Sequence, residues 1–242
     1  METNPRPAYY ALPAGAWRDY VTLLHLPYTA WHLSYVVIGA AAAPVLHLDR
    51  LAGVIVAFFL AVGVASHALD EYRGRPLQTS IPDPALLTIA VSSLAGAIVI
   101  GISAAVVVNL WVVPFVVVGV FLVAAYNLEM FGGRVHSDAW FGLAWGAFPV
   151  VVSYWANAEQ IDFAVLVLAT ACFVLSLAQR KLSNRARRLR RTVQRATGAI
   201  EFHDGRVETV DLAYLVATPE LALRLTGGSV ILFAVGWLLT KL

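Results

Sequence analysis

Apolar residues run along this chain in long unbroken stretches rather than in alternation with polar ones. Seven such runs occur, at roughly 24–46, 51–70, 85–107, 110–128, 138–156, 162–179 and 224–241. Each is close to the ~20 residues that a helix needs to cross the hydrocarbon of a bilayer. A chain in lipid must satisfy its own backbone groups, which leaves helices and closed barrels as the spanning structures. Uninterrupted runs lack the period-two pattern of barrel strands. The pattern therefore predicts an all-α polytopic membrane protein, a helical bundle with about seven transmembrane helices. Only Val108-Asn109-Leu110 separates the third run from the fourth, so that connection is expected to be tight. The whole chain, 1–242, is expected to form a single integral-membrane domain.

Composition agrees with this reading. The chain is 60% hydrophobic and 13% charged, whereas soluble domains are about 45–50% apolar and about 25% charged. Its single cysteine, Cys172, excludes an intrachain disulfide. The first residues, M-E-T-N-P-R-P-A-Y-Y, lack the basic-then-apolar build of a cleaved leader.

Charge adds an orientation. With seven spans, every Lys and Arg except Arg50 and Lys241 falls on the side of the N-terminus and the even-numbered loops. The positive-inside rule then predicts that this side is cytoplasmic, in what we expect to be a prokaryotic cytoplasmic membrane. The sixth loop, residues 180–223, is the most basic; its Q-R-K-L-S-N-R-A-R-R-L-R-R-T-V-Q-R reads as an amphipathic helix with Leu182 and Leu189 on one side. Such a helix is expected to lie on anionic lipid headgroups, each Lys or Arg contributing about 1 kcal/mol. A short run without aromatics, tethered to a membrane, argues against nucleic acid as a partner. The following I-E-F-H-D-G-R-V-E-T-V-D-L reads as a small β-hairpin turning at Asp204-Gly205.

Two polar clusters stand out on the same side. The first follows the second run: His67, Asp70 and Glu71, spaced to share one helix face, then Arg73 and Arg75. Ionisable residues at membrane depth are costly, so such a cluster is expected to line a cavity or a wet mouth. The second follows the fourth run and holds Asn127, Glu129, Arg134, His136 and Asp138, with Gly132-Gly133 as a turn. The neighbouring carboxylates Asp70 and Glu71 suit Mg²⁺; His67 and His136 suit Zn or Fe. Within the first run, Trp31, His32 and Tyr35 form a polar and aromatic stripe, and His32 is open to either a general-base or a packing role.

At these clusters the chain resembles the UbiA-type intramembrane prenyltransferase superfamily. That family ends its second helix in Asn-Asp-x-x-Asp-x-x-x-Asp, commonly followed by Arg-Pro-Leu. Here S-H-A-L-D-E-Y-R-G-R-P-L-Q-T-S-I-P sets Ser66, His67, Asp70 and Gly74 at the four motif positions, and Arg75-Pro76-Leu77 at the triplet. Gly142, Gly146 and Pro149 match the family's Gly-x-x-x-Gly-x-x-Pro, and the helix that opens the family resembles L-H-L-P-Y-T-A-W-H-L-S-Y-V-V-I-G. The likeness covers residues 20–180. It departs where the second aspartate motif is expected, since Leu177-Ala178-Gln179-Arg180-Lys181 stands there, and the family has nine helices.

The resemblance implies an enzyme acting on an isoprenoid (prenyl) diphosphate or a related lipid, by Mg²⁺-assisted prenyl transfer or cyclisation at a cytoplasm-facing cavity. Asp70 and His67 would be catalytic, with Asp70 and Glu71 holding Mg²⁺. Arg73, Arg75, Asn127, Glu129, Arg134, His136, Asp138, Arg180 and Lys181 would bind substrate, and Trp31, Tyr35 and Trp145 would wall an allylic cation. Two other readings stay open. One is a non-catalytic membrane protein that binds a lipid or a partner. The other is an intramembrane Zn or Fe enzyme built on His67, Asp70, Glu71, Glu129, His136 and Asp138.

Overall fold

A computed structural model describes residues 6–242 and is mostly helical. A short α1 (Ala16–Leu23) precedes α2 (Leu26–Ala42) and α3 (Leu48–Gly74). Then follow α4 (Asp83–Val107), α5 (Val112–Asn127), α6 (Asp138–Ala158), α7 (Phe163–Thr192) and α8 (Leu212–Leu239). Between α7 and α8, β1 (Gly198–Glu201) pairs antiparallel with β2 (Val207–Val210), Gly198 facing Val210 and Glu201 facing Val207. The turn contains Asp204-Gly205, with Gly205 at φ +82°, as its sequence predicts.

Five helices, α3, α4, α6, α7 and α8, are long and apolar enough to cross a membrane. The shorter α5 is apolar as well, and α2 is largely buried, packed against α6 and α8. The core is built from α2, α6, α7 and α8 around Trp31, Tyr35, Val150, Tyr154 and Ala169, and from α3, α4, α5 and α6 around Val62, Leu86, Leu122, Tyr126 and Trp145. Lipid tails give helices no hydrophobic reason to associate, so close backbone approach supplies the packing. Gly39 of α2 lies so near α6 that an added Cβ would sit 2.3 Å from the Val150 carbonyl oxygen; at Gly146 of α6 it would sit 2.7 Å from that of Cys172 in α7.

Two expectations change. The basic run is no separate helix on the lipid surface; it continues the sixth apolar run as one 30-residue helix. No Gly or Pro interrupts Phe163–Thr192, and Ser183 and Ala186 are buried along it. At 1.5 Å per residue α7 is about 45 Å long, against roughly 30 Å of hydrocarbon, so its basic turns extend past the apolar part of the bundle. Likewise α8 begins at Leu212 rather than 224, because Asp211 caps it by accepting from the Tyr214 N–H at 2.7 Å. The two extensions are clasped by Arg190, whose guanidinium holds both carboxylate oxygens of Glu220.

At the end of the bundle formed by the odd loops, Glu159 accepts from Arg50 at 2.9 Å and from Asn109 at 3.1 Å, and Asn157 accepts from the His47 N–H at 2.8 Å. Arg50 and Glu159 are thus paired there, and the larger polar cluster lies at the opposite end. The packing at Gly39 makes a direct prediction: Gly39→Ala forces α2 from α6 and should lower stability by about 1–3 kcal/mol, read as a reduced midpoint in denaturant unfolding of the purified protein in detergent.

Candidate functional site

Two helices that line the polar end carry π-helical segments, Phe59–Ser66 in α3 and Leu143–Ala147 in α6. Such segments are rare and commonly mark functional sites, because they displace backbone groups from the ordinary helical ladder. Pro149 explains part of the second: lacking an N–H, it removes the usual donor for the Trp145 carbonyl four residues back. His32 of α2 supplies one instead, its Nδ1 lying 2.8 Å from the Trp145 oxygen. In α3, the His67 backbone N–H goes to the Val64 carbonyl, while the ring Nδ1 engages the Gly63 carbonyl at 3.1 Å. His136 repeats the arrangement with the Tyr126 carbonyl at 3.0 Å and stacks on the Tyr126 ring, centroids 4.4 Å apart. A carbonyl can only accept, so Nδ1 carries the proton in each of the three rings.

These three histidines line one polar cavity of about 140 Å³ with His25, Ser66, Asp70, Asn127, Gln179, Arg180 and Arg187. Tyr28, Tyr126, Phe141 and Trp145 complete its walls. His25 and His67 are stacked at 4.0 Å between centroids, and Tyr10 reaches over from the N-terminal segment to His25 Nδ1 at 3.0 Å. Asp70 makes no ion pair among the described residues. Arg180 bonds Asp138 through Nε at 2.6 Å, also reaches the Tyr126 hydroxyl, and lies 4.9 Å from the centre of the Phe141 ring. Asp138 is shared with Lys181 at 2.5 Å.

A second, apolar cavity of about 330 Å³ lies between α3, α4, α5 and α6. It runs from Asp49 and Arg50 at the odd-loop end past Ala97, Gly101 and Val116 to Val62 and Trp145, and those last two residues also line the polar cavity. The two spaces meet at that shared wall.

The structure thus gathers His67, Asp70, Asn127, His136 and Arg180 around one space, with Asp138 and Lys181 behind Arg180. It separates the others. Glu71 does not share the face of Asp70: fully buried, it accepts from the Leu77 N–H at 2.8 Å and from the Thr79 N–H and hydroxyl at 2.8 and 2.9 Å. Its two oxygens staple the loop after α3, and Asp70 is left as the cavity's one carboxylate. Arg75, at φ +49°, ends α3 and donates to the Thr79 and Ile81 carbonyls and to Asp83. Arg73 lies 3.7 Å from Glu129 at the surface, and Arg134 is exposed. Trp31 and Tyr35 bond each other at 2.5 Å in the core, outside the cavity, whereas His32 faces it.

The Mg²⁺ expectation places the ion on Asp70 and Glu71 together, and Glu71 is committed to the loop. The Zn or Fe alternative needs at least three ligands together, and among the described residues no group of three His, Cys, Asp or Glu side chains is placed to hold an ion. Neither expected ligand set is assembled among the described residues.

Gln179, Ser183 and Arg187 enter the site without having been expected there. They recur every four residues on α7, a spacing that marks one helix face once the helix is known to continue past residue 179. Comparison of the chain with protein-family models, with curated proteins and with solved structures found no match.

Two carboxylates near the site make predictions. Glu71→Ala leaves three buried donors unmet and should cost about 2–5 kcal/mol, with Glu71→Gln losing less; denaturant unfolding in detergent measures both. Asp19 ties α1 to the same loop, accepting from the Ser80 N–H and hydroxyl at 2.8 and 2.6 Å. Burial alone would raise its pKa, but the Ser80 and Gly15 donors outweigh it and hold the carboxyl below its usual range. Its contribution should be complete above the unfolded carboxylate value of about 4 and vanish as pH falls through the lower folded value. The stability difference between wild type and Asp19→Asn should shrink across that acid window.

Proposed function

We propose that this chain is a diverged UbiA-like intramembrane protein that holds an isoprenoid lipid, its polar end in the histidine-lined cavity and its chain in the apolar one. The observation that carries the reading is the wall common to both cavities, Val62 and Trp145. A polar chamber at one end of a bundle and an apolar one on the far side of a two-residue wall suit the head and the chain of a single-chain amphiphile. The seven-helix count and a cytoplasmic N-terminus belong to this proposal. They are supported by the short apolar α2 and α5, which accompany the five long helices, and by the one-sided arginines. Lys181, Arg185 and Arg188 are exposed on successive turns of α7; in that orientation they face anionic headgroups of the inner leaflet.

A second reading, prenyl transfer from a diphosphate, is favoured by Arg180 and Arg187 at the cavity, by the Tyr126 and Phe141 rings beside Arg180, and by Trp145 against Tyr126. Guanidinium groups would bind the departing oxygens, and aromatic faces would lower the energy of an allylic cation. Mg²⁺, were it bound, would neutralise diphosphate charge, and this chain's residues supply no carboxylate pair for it.

A prenyl probe with a diazirine at its chain end tests the proposal. Label is expected on segments 94–123, which wall the apolar cavity, and Ala97→Trp should weaken binding about tenfold. Label confined to other segments, with binding unaffected by Ala97→Trp, rejects it. Turnover of a prenyl diphosphate that stops in chelator would favour metal-assisted transfer over lipid holding and over metal-free transfer alike.

A further inference from the structure

Two polar groups at the cavity are buried without partners. Gln179 is 2% exposed and its Oε1 meets no donor; His25 is 4% exposed and its Nε2 meets no partner. Both residues line the polar cavity. A buried polar atom left unpaired costs about 1–3 kcal/mol, so two at one small cavity point to a ligand that serves them. The same cavity holds the Asp70 carboxylate and the Arg187 guanidinium with no ion pair between them. The charge of Arg180 is already met by Asp138. The chamber's formal charge is therefore near balance.

The donors and acceptors discriminate between heads. A diphosphate only accepts: it suits Arg187 and the N–H end of the Gln179 amide, but it sets its own charge against Asp70 and gives that carboxylate no donor. An ammonium only donates: it suits Asp70 and Gln179 and opposes Arg187. A hydroxyl both donates and accepts. It serves Gln179 through either end of the amide and His25 in either tautomer, and it can give to Asp70 while taking from Arg187.

Building on the amphiphile reading, we infer that the polar chamber recognises a neutral hydroxyl head, so that the ligand class is a lipid alcohol, and that Gln179 is the residue that selects it.

The test uses the full-length protein in detergent and native mass spectrometry with three probes of equal chain: a prenyl alcohol, the matching prenyl diphosphate and the matching hydrocarbon. Wild type should bind the alcohol more tightly than either of the others. Gln179→Met should lose about five- to tenfold in affinity for the alcohol and leave the hydrocarbon unchanged. Its melting temperature should hold or rise, since the change removes an unpaired buried acceptor. Tighter binding of the diphosphate overturns the inference and leaves the amphiphile reading standing. Alcohol affinity in Gln179→Met within about twofold of wild type also overturns it, the amide being served by water. If none of the three probes binds, the amphiphile reading falls and this inference with it.

Discussion

A backbone carbonyl inside a bilayer must find a donor, because no water is there to supply one. That constraint organises the polar end of this molecule. Pro149 deprives the Trp145 carbonyl of its helical donor, and His32 replaces it from a neighbouring helix. His67 does the same for Gly63 within its own helix, at the end of a π-helical segment. Each such bond satisfies a displaced carbonyl and fixes an imidazole. The histidines that define the cavity are thus part of the backbone's hydrogen bonding, and they cannot be removed without exposing what they cover.

Around that frame the protein divides its polar side chains between holding loops and facing the cavity. Adjacent carboxylates take opposite duties: Glu71 binds three donors of the loop after α3, while Asp70 turns to the chamber. The arginines divide similarly. Arg75 and Arg190 fasten loop and helix extension, whereas Arg180 and Arg187 stand at the cavity wall. The consequence is a chamber with few unpaired charges beside an apolar space.

The long α7 connects these features. Its apolar half packs against α6 and α8, and its basic half carries Gln179, Arg180, Ser183 and Arg187 along the chamber. Helical continuity matters for this reason: a break near residue 180 would leave the chamber without one wall. The clasp between Arg190 and Glu220 holds the extension against α8, which keeps that wall upright beyond the apolar core.

Unbroken apolar runs and sparse charge were enough to establish a helical membrane protein and the rough position of its spans. Turn chemistry at Asp204-Gly205 was enough for the hairpin, since these depend on local pattern. The two polar clusters were also legible as neighbours of one site, because His67, Asp70, Asn127 and His136 end helices on the same side. Which side chains face inward was not legible. The spacing of His67, Asp70 and Glu71 allows a shared face, but the donors that turn Glu71 away belong to residues 77 and 79, and only the folded loop brings them near. In α7 an apolar-to-basic transition in sequence looks like a membrane exit, yet the helix continues, its basic extension held to α8 by the Arg190–Glu220 clasp. Tertiary contact, by assigning each polar group its partner, decided the site; the apolar pattern, acting through the bilayer, had already decided the bundle.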